Sequence, residues 1–180
     1  MKYLVYCMAF ISLNVFAQDK YLTKTGTVGF EASVPSFEEV KATNNSVTAI
    51  LNADNGEFAA LVLVKGFRFK NALMEEHFNE NYAESDTYPK ATFKGTIDDF
   101  NVSKINKKTS FTISGALSFH GKTKILNKVP IIISKVNDIL EISGKFEANA
   151  SEFDIKIPKI VSNKIAEAIA VSFDFKLTKK

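Results

Sequence analysis

The sequence predicts an all-β protein made of antiparallel strands, with one short α-helix. Beyond residue 90, apolar and polar residues alternate along one run after another, which places the apolar side chains on one face of each strand. Short turns join these runs without helical segments between them, as in a meander. One apolar and one polar face per strand is typical of antiparallel sheets, whereas strands of buried parallel sheets are apolar on both faces.

The N-terminal half is predicted to contain three strands. Residues 21–34 and 47–51 are interpreted as strands, and residues 35–45 as a loop with one helical turn at most. A long apolar strand over residues 57–70 follows. Its alternation changes parity at Gly66, which predicts a β-bulge that bends the strand, as barrel corners require.

Residues 71–82 are predicted to form the helix. Asn71 is of a residue type that caps helix N-termini, and Glu75 and Glu76 favour the first turns. Ring-bearing and apolar residues recur there at helical spacing, namely Leu73, Met74, His77, Phe78 and Tyr82. The helix is therefore predicted to be amphipathic, two to three turns long and closed by residues 85–89.

The C-terminal half carries the clearest alternation. The positions on its apolar faces are Phe93 and Ile97, then Phe111, Ile113, Gly115, Leu117 and Phe119, then Leu140, Ile142, Gly144, Phe146 and Ala148, then Phe153, Ile155 and Ile157, and last Ile169, Val171, Phe173, Phe175 and Leu177. The predicted connectors are residues 106–108, 121–122, 137–138 and 148–152. A meander with this many strands either packs as a two-sheet sandwich or closes into a barrel, and only closure removes exposed edges.

The first 17 residues predict a secretory signal peptide. A basic residue precedes an apolar run over residues 3–13, and Val15 and Ala17 hold the −3 and −1 positions of a cleavage site after Ala17. The run is shorter than the roughly 20 residues that a transmembrane helix needs, so we expect no permanent membrane span. The sequence thus predicts a periplasmic or secreted protein.

The single cysteine, Cys7, lies within this predicted signal peptide. Residues 18–180 then form one domain that holds no disulfide and performs no thiolate chemistry. Such a domain depends on the burial of apolar side chains for its stability.

Charge and motifs favour neither nucleic-acid binding nor catalysis. The net charge is +3 with both signs interspersed, so no basic stripe marks a nucleic-acid surface. Glycine-rich phosphate loops, HExxH and G-x-S-x-G motifs are absent from the sequence. The two histidines, His77 and His120, lack the close spacing that metal ligands usually show. We therefore expect no enzyme, no catalytic residue, no metal site and no cofactor.

The 16 phenylalanines are the main candidates for a functional surface. Phenylalanine has no polar group, so these rings are either core or the lining of an apolar space. A sandwich would be filled by them, whereas a barrel of about eight strands is either filled or holds a small ligand. The sequence does not decide between filled and hollow. The candidate lining residues are Phe67, Phe69, Leu73, Met74, Phe78, Phe93, Phe111, Ile113, Leu117, Phe119, Ile142, Phe146, Phe153, Ile155, Val171, Phe173 and Phe175.

Several stretches of the chain resemble the YceI-like family. Residues 73–82, 85–89 and 91–95 resemble its histidine-bearing helix and the Tyr-Pro turn that leads into a strand. Residues 115–124, GALSFHGKTK, resemble its Gly-x-Leu-Thr-Ile-His-Gly-Val-Thr-Lys hairpin. Residues 151–158 are similar to its C-terminal phenylalanine-glycine-isoleucine motif.

Four residues depart from the family pattern. Glu75 and Glu76 stand where many members have Arg-Asp, Lys122 replaces the hairpin valine, and Asp154 takes the place of the C-terminal glycine. These changes concern the headgroup contacts that the resemblance implies, and the barrel does not depend on them. Lys122 and Lys124 are interpreted either as headgroup contacts or as surface residues that maintain solubility.

The resemblance implies a closed, eight-stranded, lipocalin-like antiparallel barrel that holds an amphiphilic polyisoprenoid and is exported to the bacterial periplasm. The implied function is non-enzymatic binding of a long-chain lipid, for storage or transport in the cell envelope. The alternative is a structural or stress-related barrel with a filled core that acts through a protein partner. A hydrolase or isomerase that uses His77 or His120 is the third hypothesis. The sequence does not disclose the headgroup, the chain length, or whether the protein is a monomer or a homodimer.

Overall fold

The structure, a computed structural model, describes residues 19–105 and 107–180. The strands are β1 (Lys20–Ser33), β2 (Lys41–Asn52), β3 (Glu57–Leu63), β4 (Arg68–Phe69), β5 (Lys90–Ile97), β6 (Thr109–Phe119), β7 (Lys122–Val136), β8 (Ile139–Asn149) and β9 (Ile165–Lys179). Helix α1 (Ala72–His77) continues into a π-helical turn at Phe78–Tyr82. The predicted signal peptide, with Cys7, lies outside the described residues.

The sheet closes into a barrel through β1, which pairs with both β2 and β9. Tyr21 lies opposite Leu51 in β2 and opposite Lys179 in β9. Around the barrel the strands follow the order β1, β9, β8, β7, β6, β5, β3 and β2, and all neighbouring pairs are antiparallel. The prediction of a closed, antiparallel, lipocalin-like barrel with one short helix is confirmed.

Strands β3 and β4 are two parts of one interrupted strand, since both pair with β2. A 3₁₀ turn at Val64–Gly66 separates them, where the sequence predicts a β-bulge. The side chain of Asn44 is only 1% exposed and donates from Nδ2 to the Leu63 carbonyl oxygen at 2.9 Å. A Cβ atom on Gly66 would lie 2.5 Å from that Nδ2. Gly66 thus lets a buried amide stabilise the interruption.

Strand β2 begins at Lys41, six residues before the predicted start at Val47. Its first inward side chains are Ala42 and Asn44, which are both buried. A small residue and an amide do not produce the apolar alternation that marks a strand in a sequence. The predicted loop over residues 35–45 is therefore too long at its C-terminal end.

The strand predicted at Phe153, Ile155 and Ile157 does not form. Ala150–Phe153 is a 3₁₀ turn, and Asp154 ends it in the left-handed conformation with φ of 56°. Residues 155–158 have no regular structure, and residues 159–164 form turns. Alternation alone therefore gave the wrong secondary structure here, although these side chains do share one side of the segment.

The N-cap of the helix is confirmed. Asn71 Oδ1 accepts hydrogen bonds from the backbone N–H groups of Leu73 at 2.9 Å and Met74 at 3.4 Å. These bonds satisfy two donors that the first helical turn leaves without a partner. The side chain of Asn71 also donates to Glu38, so the start of the helix is held against the β1–β2 loop.

The two ends of the barrel differ in how they are filled. At one end, called the closed end, lie the β2–β3 loop, the β5–β6 segment and the β7–β8 turn. Large aliphatic side chains fill this half, namely Leu51, Ile97, Ile133, Leu140 and Leu177, all nearly inaccessible to solvent. At the other end, called the open end, lie α1, the β1–β2 loop, the β6–β7 turn and residues 150–164.

Two glycines permit close packing in the wall between these ends. Gly95 and Gly115 lie opposite each other on β5 and β6. A Cβ atom on Gly115 would lie 2.4 Å from the Lys94 carbonyl oxygen and 2.7 Å from Cζ of Phe93. Because one of these neighbours is backbone, a side chain at residue 115 would force the strands apart.

We predict that Gly115→Val lowers the free energy of unfolding by about 1–3 kcal/mol, the usual cost of overpacking. Urea denaturation measures this change. The matched control is Ala116→Val, the next residue on the outer face of β6, for which we expect a change within about 0.5 kcal/mol. Equal stability of the two variants would contradict the close packing described for Gly115.

Candidate functional site

A cavity of about 430 Å³ occupies the open half of the barrel. Its walls are the inward side chains of the strands, and its rim is formed by α1, the β1–β2 loop and residues 149–165. All but two of the predicted lining residues lie on it, namely Phe67, Phe69, Met74, Phe78, Phe93, Ile113, Leu117, Phe119, Ile142, Phe146, Phe153, Ile155, Val171, Phe173 and Phe175. The barrel is thus filled in one half and hollow in the other.

Two predicted residues, Leu73 and Phe111, lie outside the lining. Leu73 is 56% exposed, because Met74 and Phe78 occupy the inner face of α1. Phe111 packs against Phe100, with ring centroids 6.0 Å apart, near the start of β6 at the closed end. Inward orientation on a strand is therefore insufficient for lining the cavity, since the side chain must also lie in the open half.

A cluster of four phenylalanines joins α1 to the barrel near the rim. The ring centroid of Phe30 lies 5.2 Å from those of Phe67 and Phe78 and 5.7 Å from that of Phe69. Two of these contacts are edge-to-face, a favoured arrangement of aromatic rings. Phe30 is absent from the predicted lining, although its alternation with Val28 and Ala32 in β1 would have identified it.

A second group of rings forms the floor of the cavity. Phe173 and Phe175 on β9 are stacked with centroids 5.6 Å apart, and Phe175 lies 5.5 Å from Phe58. Glycines make room for the two stacked rings. A Cβ atom on Gly26 would lie 2.4 Å from Phe175 Cδ1, and one on Gly144 would lie 2.6 Å from Phe173 Cζ.

The acidic, basic and histidine side chains of the lining are confined to the rim. Glu38 comes from the β1–β2 loop, His77 from α1, and Lys164 from the segment that precedes β9. Tyr82 and Asn149 add polar groups near them. An apolar wall with polar groups at its opening suits an amphiphile whose chain enters the barrel and whose polar head stays at the rim.

The second histidine, His120, supports a loop and does not line the cavity. Its Nδ1 lies 2.8 Å from the Phe153 carbonyl oxygen, to which it donates a hydrogen bond, and its ring lies 4.5 Å from that of Tyr88. Its Nε2 is 3.9 Å from Glu84 Oε1. His120 therefore connects the β6–β7 turn to the residues on either side of the rim. Within residues 19–105 and 107–180, no group of three His, Cys, Asp or Glu side chains could hold a metal ion.

Lys122 and Lys124 brace the same loop through ion pairs. Lys122 Nζ lies 2.6 Å from Asp154, and its hydrogen bond and charge lower the pKa of that carboxyl group. Lys124 pairs with Glu152, whose pKa is lowered by this hydrogen bond and by a second one from the Asn149 N–H group. Both lysines are thus ion-paired with carboxylates of the 150–154 turn.

The closed barrel and its hollow half define a lipocalin-like protein with an internal cavity. The chain belongs to the YceI-like family, because the model of the YceI-like domain matches residues 20–177. No curated protein matches the sequence significantly.

Solved structures share this fold. A polyisoprenoid binding domain from Saccharophagus degradans, implicated in plant cell wall breakdown, is 13% identical with a TM-score of 0.78, over 91% of this chain and 100% of its own. Burkholderia cenocepacia BcnA is 16% identical with a TM-score of 0.70, over 85% and 96%. The Campylobacter jejuni YCEI protein is 12% identical with a TM-score of 0.57, over 100% and 99%.

The helices of the described residues include none that is both long enough and apolar enough to cross a membrane.

We predict that Lys124→Ala raises the pKa of the Glu152 carboxyl toward its ordinary value, because the largest cause of its lowering is removed. Carbon-detected NMR titration of the side-chain carboxyls measures this. Because the pKa of Glu152 is lowered in the folded state, its ion pair stabilises the fold at pH values above the ordinary carboxyl pKa. This stabilisation is lost as the pH falls through the lowered value. Asp154 is the control within the same variant, since its partner Lys122 is unchanged. An unaltered Glu152 pKa would contradict the ion pair.

Proposed function

We propose that the protein binds the apolar chain of an amphiphilic, polyisoprenoid-like lipid inside the open half of the barrel, without catalysing a reaction. The observation that carries this proposal is the apolar cavity of about 430 Å³ with a polar rim. Ligand pockets commonly measure about 300–1,000 Å³. Cavities lined by aliphatic and aromatic side chains hold water poorly, which leaves this one available to an apolar ligand.

The energetics favour a long hydrocarbon chain. Each buried CH₂-sized group contributes about 0.8 kcal/mol, so several isoprene units would bind tightly without a specific polar contact. The wall presents flat rings and branched aliphatic groups, such as Phe93, Ile113 and Val171, which pack well against methyl-branched chains. The rim residues Glu38, His77 and Lys164 are the groups available to a polar head.

The family relationship supports the identity of the ligand. A structural neighbour is described as a polyisoprenoid binding domain, and it shares the barrel over nearly its whole length. At 13% sequence identity this structural likeness supports the fold alone, and the extension of its ligand to this chain is part of the proposal.

Binding without catalysis fits the placement of the titratable groups. Those that line the cavity are on the rim, contributed by separate elements, while the wall is apolar. The alternative of a barrel with a filled core is less favoured, because the open half is hollow. Export to the periplasm, and storage or transport of the lipid in the cell envelope, belong to the proposal and rest on the sequence pattern of residues 1–17.

Native mass spectrometry is the direct test of occupancy. We expect the purified protein to carry a lipid-sized adduct, or to acquire one after incubation with a prenyl alcohol in mild detergent. The adduct should dissociate when the protein is unfolded. Empty protein alone, even after exposure to a membrane lipid extract, would refute the proposal.

We further predict that Ala60→Phe weakens binding of a fluorescent prenyl probe at least tenfold. Ala60 lines the cavity, and an added ring there excludes at least two CH₂-sized groups of ligand at about 0.8 kcal/mol each. Ala59→Phe is the matched control, since Ala59 is the preceding residue of β3 and points to the opposite face. Equal affinities of the two variants would place the ligand elsewhere.

A further inference from the structure

Residues 155–164, called the mouth loop, connect the 150–154 turn to β9 at the open end. Ile155, Ile157 and Val161 of this loop line the cavity. Ile160 is 86% exposed, the highest value among the exposed large apolar side chains of the described residues. The mouth loop therefore has one side on the cavity and an isoleucine that projects into solvent.

Hydrogen bonds within the loop hold Ile160 in this position. The Val161 N–H group donates to the Pro158 carbonyl oxygen at 3.0 Å, and the Lys164 N–H group donates to the Val161 carbonyl oxygen at 2.8 Å. Ser162 Oγ donates to the Lys159 carbonyl oxygen at 2.9 Å. The exposed isoleucine is thus the apex of a hydrogen-bonded turn, and it stays unburied unless a partner covers it.

The charges of the mouth loop have a single sign. Lys156, Lys159 and Lys164 lie in it, and it contains no acidic residue. Several other cations of the open end are paired with carboxylates, among them Lys65 with Asp86, Lys70 with Glu39, Arg68 with Glu75 and Lys122 with Asp154. Among the described residues, no carboxylate lies within ion-pair distance of the three loop lysines. The loop therefore presents three lysines that lack an ion-pair partner in the described part of the chain, beside an apolar tip.

The neighbouring loop extends this surface. Ser33 of β1 pairs with Ile165 of β9, so the β1–β2 loop leaves the barrel beside the mouth loop. Phe37 in that loop is 44% exposed and also lines the cavity. On the helix side of the opening, Glu76 and Glu80 are exposed. The mouth-loop side of the opening is thus cationic with exposed apolar side chains, whereas acidic residues lie on the helix side and, as Glu38 and Glu39, in the β1–β2 loop.

We propose that the mouth loop docks the open end of the barrel on an anionic lipid bilayer, with Ile160 in the interface and the three lysines among the headgroups. Segments with apolar tips and lysine flanks bind such surfaces by burial of apolar area and by attraction to anionic lipids. The acidic helix side would face away from the bilayer. This inference rests on the proposed function, because docking places the cavity where a lipid can pass between bilayer and barrel.

The chain contains no tryptophan, so Ile160→Trp introduces a single reporter at the loop apex. We expect its emission to shift to the blue with phosphatidylglycerol vesicles and to be quenched by lipids that carry bromine on their acyl chains. Phosphatidylcholine vesicles should produce little change, and added salt should reverse the shift. The matched control is Ile132→Trp, at an exposed apolar position on the outer wall of β7. Both variants carry the same residues 1–18, so adhesion through that segment would affect both.

Substitution of the loop lysines tests the electrostatic contribution to vesicle binding. Lys156→Gln, Lys159→Gln and Lys164→Gln should each weaken vesicle binding about fivefold in a sedimentation assay, as expected for one lysine near an anionic surface. The control is Lys145→Gln, which removes an exposed charge from the middle of β8 and should leave binding unchanged.

The outcomes separate docking from ligand binding, since occupancy is measured by mass spectrometry in detergent without vesicles. If the protein binds lipid but the emission of the Ile160→Trp variant does not change with anionic vesicles, the docking proposal is overturned and the proposed function stands. A blue shift that grows with protein concentration in the absence of vesicles would assign the loop to a second copy of the chain and also overturn it. Equal shifts for Ile160→Trp and Ile132→Trp would refute docking through the mouth loop.

Discussion

Closure of the sheet through β1 is the constraint on which the rest of the structure depends. Because β1 pairs with β2 on one side and β9 on the other, the long strands leave no free edge, and the number of strands fixes the width of the interior. Side-chain size then decides what that interior contains. Branched aliphatic residues such as Leu140 and Leu177 pack the closed half, whereas rings surround a space in the open half.

The border between the two halves is set by pairs of rings and glycines. Phe175 lies over Gly26, and Phe173 lies over Gly144, at distances that any side chain at those glycines would prevent. The rings therefore lie against the wall and form a floor. At the opening, Phe30 and its ring contacts attach α1 to the barrel, so the same residue type closes the cavity below and shapes its mouth above.

The sequence was most informative where burial is strictly one-sided. Alternation located β6, β8 and β9, and Asn71 located the helix start. The start of β2 does not show in the alternation because Ala42 and Asn44 lack apolar bulk. The segment with Phe153 alternates like a strand but pairs with no neighbouring strand in the sheet. Whether the interior is filled could not be predicted, since Phe111 in the packed half and Phe119 in the hollow half have the same pattern. The two residues differ in the end of the barrel at which they lie, since Phe111 is near the closed end and Phe119 near the open end.

If one barrel contains a packed half and a ligand-binding half, a bound lipid contacts only the side chains of the open half. Isotope-filtered NMR on protein with labelled methyl groups, loaded with an unlabelled prenyl lipid, measures these contacts. We expect protein–ligand Overhauser effects to Ile113, Leu117 and Val171, and none to Ile133, Leu140 or Leu177. Effects to the second group, or to residues of the outer wall alone, would contradict this division of the barrel.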